Sequence, residues 1–437
     1  MTARSSTTVG GLDRRLSAAR EITDNLFRVV RPEAHYDRPI AERNRIVFYI
    51  GHVEAFDWNL LTSTLFEAPR FNAGFDKLFA FGIDPVGGGL PSDRANEWPA
   101  LTEIDEYARR GRETIDRALG RLAAGSVDSS GKREQILNVA IEHRLMHAET
   151  LAYMFHWLPP SNKIAGAGEA DLPATPSPPP EQIAIPAGLA TLGRHTGFGW
   201  DNEFAEHTVE VPAFAIDKNK VTNGQYLEFL RAGGYSDRAL WAASDWEWKE
   251  ANNVEHPEYW AKQNANWLFR TMFGERPLPL DWPVYVSQAE ASAYASWAGK
   301  RLPTEVEFHR AAYGTVDGSE REYPWGDEEP SARHGNFDFR RWDPMPVGAH
   351  PAGNSAFGVS DLVGNGWEWT ATPFAPFPGF EAFSFYRGYS ADFFDGKHYV
   401  MKGASMRTAS SMLRRSFRNW FQGHYPHIYA GFRCVSH

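Results

Sequence analysis

Apolar residues recur at steps of three and four at the start of the chain. Leu12, Leu16, Ala19, Ile22, Leu26 and Val29 fall on one face of an amphipathic helix. A second helical pattern covers residues 44–68, and a third covers Ala108–Ala124, with Ile115, Leu119 and Leu122 on one side. The fourth, Gln135–Leu158, contains no Gly or Pro between 135 and 155. Four such segments joined by loops predict a helical bundle over residues 1–160. The pattern then breaks. Residues 161–182 carry Pro176-Ser177-Pro178-Pro179-Pro180 with scattered Gly and Ala, a composition that cannot build a core and reads as an extended linker. From 183 to 437 the chain is dense in Gly, Pro, Trp, Asn and Asp, with short strand-like runs such as Thr208–Val211 and Phe214–Ile216. Two longer helical patterns stand out there, Asn223–Ala232 and Ser287–Ala298. No alternation of strands with helices, no phosphate-cradling Gly loop and no internal repeat is present. The expected fold is multidomain, a helical bundle followed by a unit of short strands with a few helices.

Composition narrows this little. At 437 residues the chain exceeds one core. Its formal charge of −10 argues against a general nucleic-acid binder. An apolar run of about 18 residues is absent, so no membrane span is expected, and the N-terminus lacks an apolar signal core; the expected location is cytoplasmic. A single cysteine, Cys434, excludes an internal disulfide framework and any Cys-based zinc site. The sixteen Trp can wall a ligand, though buried Trp in a loop-rich fold explains them equally well. The sequence sets no oligomeric state.

The candidate chemistry lies in Glu142-His143-Arg144-Leu145-Met146-His147-Ala148-Glu149. Residues i and i+4 project from one helix face, so His143 and His147 can share a metal ion. His52 offers a third imidazole from the second helical segment. Three neutral imidazoles suit zinc as well as iron and leave open coordination positions. Glu54, Asp57, Glu142 and Glu149 are candidate acceptors for the far ring nitrogens.

The second half carries Val221-Thr222-Asn223-Gly224-Gln225-Tyr226, Gly299-Lys300-Arg301-Leu302-Pro303-Thr304-Glu305-Val306-Glu307-Phe308 and Tyr323-Pro324-Trp325-Gly326-Asp327. Gly364-Asn365-Gly366-Trp367-Glu368-Trp369-Thr370 and Gly431-Phe432-Arg433 follow. In this order the blocks resemble the formylglycine-generating-enzyme (sulfatase-modifying-factor) fold, a C-type-lectin-like α+β domain. Enzymes of that name bind copper through cysteines, and the single Cys434 of this chain is too few for that. With a DinB-like four-helix bundle in front, and with Phe198-Gly199-Trp200-Asp201-Asn202-Glu203 and Phe377-Pro378-Gly379-Phe380, the arrangement resembles the ergothioneine-biosynthesis sulfoxide synthases. The resemblance implies a non-haem Fe(II) oxidoreductase held by His52, His143 and His147. It implies O2, hercynine and a sulfur or selenium donor as the reacting partners, with no nucleic acid and no membrane. Tyr386 takes the position of the catalytic tyrosine, which supplies a proton or hydrogen atom. Tyr389 faces the trimethylammonium group, Arg418 and Asn419 belong to the substrate-binding set with Asn419 on the carboxylate, and Trp420 and Phe421 complete an aromatic cage. Cations without donors bind best to aromatic faces. Core packing is the plain alternative for these aromatics.

Relatives that take γ-glutamylcysteine carry an Asp and an Arg after the Arg-Asn pair. This chain has Phe421 and Tyr425 there, within Trp420-Phe421-Gln422-Gly423-His424-Tyr425-Pro426-His427. The polar residues expected around His-x-x-x-His are replaced by Arg144 and Met146, and a basic donor-binding stretch by Gly82–Pro91 with Asp84 and Gly87-Gly88-Gly89. Asp84, Gln422, His424 and His427 suit an uncharged, polyhydroxylated donor. The expected donor is a 1-seleno-sugar, as in the selenoneine synthases that this branch resembles. Cysteine or γ-glutamylcysteine is the rival donor, and a non-catalytic betaine-binding protein is the rival class.

Overall fold

A computed structural model describes residues 9–80, 90–123, 131–164 and 175–436. The expected donor stretch at 82–89, with Asp84 and the triple glycine, and residues 165–174 of the expected linker lie outside the described residues. The chain forms two compact units, Met1–Gly168 and Glu169–His437.

Five helices make up the described part of the first unit. They are α1 (Val9–Phe27), α2 (Ile46–Thr64), α3 (Ala73–Leu78), α4 (Leu101–Ala123) and α5 (Lys132–His156). The four long ones form a bundle in which α5 packs on α1 and α2, and α4 packs on α2 and α1. The predicted stripe on α1 points inward: Leu12, Leu16, Ala19 and Leu26 are buried. Ring by ring, α5 is buried on all sides from Ile136 to Phe155, apart from Met146 and Glu149, which makes it the central helix. The third pattern begins at Leu101, a turn and more before Ala108, because its first turns are polar and Glu103 accepts from the Ala100 amide at 3.0 Å. The short α3 was not foreseen; Asn72 caps it by accepting from the Phe75 amide.

Past α5 the chain turns back on the bundle: the Ile164 amide donates to the Val29 carbonyl at 2.7 Å. At the other end of the expected linker, Gln182 already opens a strand. Both pairings leave less extended chain than residues 161–182 suggested.

The second unit has many short strands. β1 (Gln182–Ile185), β2 (Gly188–Leu192), β3 (His207–Val211) and β4 (Phe214–Asp217) precede α6 (Asn223–Arg231) and α7 (Ala243–Ala251). β5 (Trp260–Gln263), β6 (Asn266–Thr271) and β7 (Gly274–Pro277) form a meander before α8 (Gln288–Trp297) and α9 (Glu305–Tyr313). β8 (Gly366–Pro373), β9 (His398–Ala404), β10 (Asn419–Gln422), β11 (Ala430–Gly431) and β12 (Val435–Ser436) complete the chain. One sheet runs β10-β9-β8-β11, with only β8 and β11 parallel; another runs β1-β4-β12, and β2 pairs with β3. Ile185, Ile216, Phe308, Leu362 and Val435 lie in the core between these elements.

The sequence blocks turn out to be the joints of this fold. Thr222, Ser287 and Thr304 each cap a helix and receive a returning Gln225, Glu290 or Glu307. Glu368 of β8 accepts from Lys220 at 2.6 Å and from Arg433 at 2.6 and 2.8 Å, all three fully buried. Burial opposes charge on Glu368, but Arg433 and Lys220 outweigh it and hold the carboxyl below its ordinary range. Cys434 is buried and burial pushes its thiol well up, so it is a small core residue.

Candidate metal centre and aromatic site

In the first unit the three predicted histidines meet. His52 comes from α2, and His143 and His147 come one helical turn apart on α5. The His52 and His147 Nε2 atoms lie 3.1 Å apart, and those of His147 and His143 lie 3.2 Å apart. All three rings are at most 5% exposed. Among the described residues this is the one group of three potential ligands within 4.8 Å of one another.

The packing fixes how these rings face. His52 donates from Nδ1 to the Phe79 carbonyl at 2.7 Å, which leaves Nε2 as the lone-pair nitrogen. Gly51 makes room for this: a Cβ there would stand 2.5 Å from the Phe79 ring. Phe56 stacks on His143 at 3.3 Å between centroids, and Phe48 on His52 at 4.9 Å. Burial drives the His52 pKa down to about 4, against the Phe79 hydrogen bond that favours the cation. His143 and His147 are also pushed well down, first by burial and then by the neighbouring histidines. Three neutral imidazoles with converging nitrogens form a donor set that fits a metal ion.

Two of the carboxylates foreseen as acceptors for these rings serve another partner. Glu54 and Asp57 accept from the buried Arg144, at 2.8 and 2.7 Å. The actual acceptor for His52 is a backbone carbonyl from a turn 27 residues on, and no side-chain motif announces it.

In the second unit, Tyr386, Tyr389 and Trp420 come together. Trp420 lies flat on Phe374 with centroids 4.2 Å apart and meets Tyr389 edge-on at 5.2 Å. Tyr389 stacks on Trp200 at 3.9 Å, and Tyr386 lies 5.6 Å from Tyr389. Sequence reasoning missed Trp200, Phe374 and Phe393 as members of this cluster. Their signal was available for Trp200, which sits in the Phe-Gly-Trp-Asp-Asn-Glu block, and Glu203 of that block is held by Arg414 at 2.5 Å and Ser416 at 2.7 Å. Burial, then the charge of Asp201, pushes the Tyr386 phenol up to about 12, so it keeps its proton at neutral pH.

Two of the expected substrate residues are placed differently. Phe421 follows Trp420 on β10, and successive strand residues point to opposite faces. Phe421 stacks on Tyr425 at 5.5 Å instead of joining Trp420. Arg418 is buried and bound to Glu305 at 2.9 and 3.1 Å, with Nη1 on the carbonyls of Asn202 and Ala375. It lies over the Phe377 ring at 4.0 Å. Arg418 is thus a tie within the fold. Asn419 is half-buried; its Oδ1 accepts from the Trp420 amide, which leaves Nδ2 to donate. Beyond Phe421, His424 meets Asp245 at 2.8 Å and stacks on Trp248.

The family model of the sulfatase-modifying factor enzyme 1-like domain matches residues 169–437. The chain is 36% identical over 332 residues to hercynine oxygenase of Mycolicibacterium smegmatis, covering 73% of this chain and 75% of that one. It is 42% identical over 238 residues to hercynine oxygenase of Mycobacterium tuberculosis, covering 54% of this chain and 55% of that one. It is 30% identical over 489 aligned positions to ergothioneine biosynthesis protein 1 of Neurospora crassa, covering 91% of this chain and 54% of that one. The chain thus spans little more than half the length of the last two relatives. It belongs to the sulfatase-modifying-factor family and, within it, to the group that includes the hercynine oxygenases. Among the described residues no helix is long and apolar enough to cross a membrane.

Proposed function

We propose that this chain is a non-haem Fe(II) enzyme that uses O2 to join a chalcogen donor to C2 of the hercynine imidazole. The observation that carries the reading is the convergence of three buried, neutral Nε2 atoms on one point of the bundle. Such a set suits zinc or iron. O2 chemistry needs a metal that changes oxidation state, which zinc does not do, and the mycobacterial relatives are named oxygenases. Fe(II), when bound, supplies the activation of O2.

The remaining roles belong to the chain's own residues. His52, His143 and His147 hold the metal, and the bond from His52 to the Phe79 carbonyl orients that ring. Tyr389 and Trp420, with Trp200 behind Tyr389, present aromatic faces to the trimethylammonium. Asn419 donates from Nδ2 to the substrate carboxylate. Tyr386 holds a proton at its phenol oxygen and delivers it during the reaction. Arg418 and Phe421 are left out of the trimethylammonium site.

For the donor we favour a 1-seleno-sugar. Phe421 and Tyr425 form a stacked aromatic pair where a peptide carboxylate would need a cation, and His427 meets Tyr425 edge-on at 5.3 Å. A sulfur donor is the second reading, favoured by the name of the Neurospora relative. The metal reading is tested by His52→Ala, His143→Ala and His147→Ala. Each is expected to lose bound iron and turnover; full iron content in all three would place the site elsewhere.

A further inference from the structure

Arg144 sits between two of the histidines in sequence, and its side chain reaches the helix that carries the third. Its Nη2 donates to the Val53 carbonyl, the residue after His52, at 2.8 Å, and to Asp57 at 2.7 Å. Its Nε donates to Asp57 at 3.2 Å, and its Nη1 to Glu54 at 2.8 Å and to Thr23 of α1 at 3.2 Å. Glu54 is shared with Arg112 of α4 at 2.7 and 3.0 Å, and Arg112 grips Asp24 of α1 at 2.7 and 2.8 Å. One network, buried at Arg144, Glu54 and Asp57 and part-buried at Arg112 and Asp24, therefore ties all four long helices together beside the triad. Arg144 is fully buried, and Glu54 and Asp57 are 6% and 1% exposed.

Such a cluster is not the most stabilising way to fill a core, because apolar side chains of equal volume do as well or better. What it adds is direction. Apolar contact between α2 and α5 is non-directional, whereas a fork with four bonds from α5 to α2 allows one register. Sliding one helix past the other by a single residue, about 1.5 Å, would break the fork's bonds to α2. A metal site tolerates displacements of only about 0.2 Å in its ligand distances. We infer that Arg144 is a positioning residue which locks the register of α2 against α5 so that the His52 nitrogen meets those of His143 and His147. The inference rests on reading the triad as a metal site.

The test titrates Co(II) into the metal-free full chain, with chelator competition for affinity and the visible spectrum for ligand geometry. Wild type is expected to bind one Co(II); failure of wild type to bind would remove the metal reading itself. Arg144→Lys keeps the charge but cannot serve Val53, Glu54, Asp57 and Thr23 together. It is expected to weaken Co(II) at least tenfold and to change the spectrum. Leu151→Ala, a cavity in the same helix, is the control: it lowers the melting temperature but leaves Co(II) affinity and spectrum as in wild type. Should Arg144→Lys not fold, Asp57→Ala, which removes two of the fork's bonds, is read in the same way. Wild-type affinity and spectrum in the variant read would overturn the proposal, as would an equal loss of affinity in Leu151→Ala.

Discussion

The role proposed for Tyr386 rests on one hydroxyl. Burial and Asp201 hold the phenol's pKa near 12, so the group stays a proton donor across the neutral range. Tyr386→Phe removes that hydroxyl with little change in volume. Folding and hercynine affinity are expected to survive while product formation falls at least a hundredfold, in line with a lost acid–base group; unchanged yield would remove Tyr386 from the mechanism. Trp420 and Phe421 give a second test, because neighbouring strand residues are placed on opposite sides. Trp420→Ala is expected to weaken hercynine by about 0.5–2 kcal/mol relative to histidine, the span of a cation–π contact. Phe421→Ala is expected to leave that preference unchanged in calorimetry. Equal losses in both variants would contradict the face assignment. The triad was readable here because i and i+4 residues share a helix face. What the sequence did not show is that Phe421 pairs with Tyr425 and that Arg418 is tied to Glu305. A four-residue strand is too short to show its period of two, and the partner that occupies Arg418, Glu305, lies 113 residues away.

At the scale of elements, the metal-free bundle carries a pH dependence. Burial lowers the His52 pKa to about 4 when folded against an ordinary 6.5, and lowers those of His143 and His147 well below theirs. Groups whose folded pKa is depressed take up more protons in the unfolded chain, so unfolding is favoured as pH falls below about 6.5. Stability from these rings is complete above that value and is lost progressively down to the folded pKa. The melting temperature of the chelated protein is expected to drop between about pH 7 and pH 5. A His143→Asn variant is expected to show a shallower drop. A parallel pH profile in the two proteins would mean that these rings do not set the dependence. The four long helices were legible from their apolar period, though α4 began early under polar turns. In the second unit, α9 was hidden inside a quoted block: Thr304 and Glu307 spell a capping box. The meander β5–β7 left no clear alternation, since its half-buried residues give a mixed pattern.

Across the whole molecule, the first unit carries three metal-type ligands and the second an aromatic cluster with a protonated tyrosine. The motif blocks told the family, while their physical work is to cap helices and bury the Lys220–Glu368–Arg433 set. The donor is where sequence reasoning reached furthest. It rests on Phe421 and Tyr425, now seen stacked on each other, and on a glycine-rich stretch outside the described residues. Burying an unpaired peptide carboxylate against such rings would cost several kcal/mol, roughly the penalty for an uncompensated charge. One measurement bears on all of this. The Fe(II)-loaded chain is incubated with hercynine, O2 and, in separate arms, cysteine, γ-glutamylcysteine and a 1-seleno-sugar, and hercynine is followed by mass spectrometry. An O2-dependent adduct at the imidazole is expected, formed fastest with the seleno-sugar. Faster turnover with the peptide would overturn the donor assignment, and unmodified hercynine in every arm would contradict the central claim.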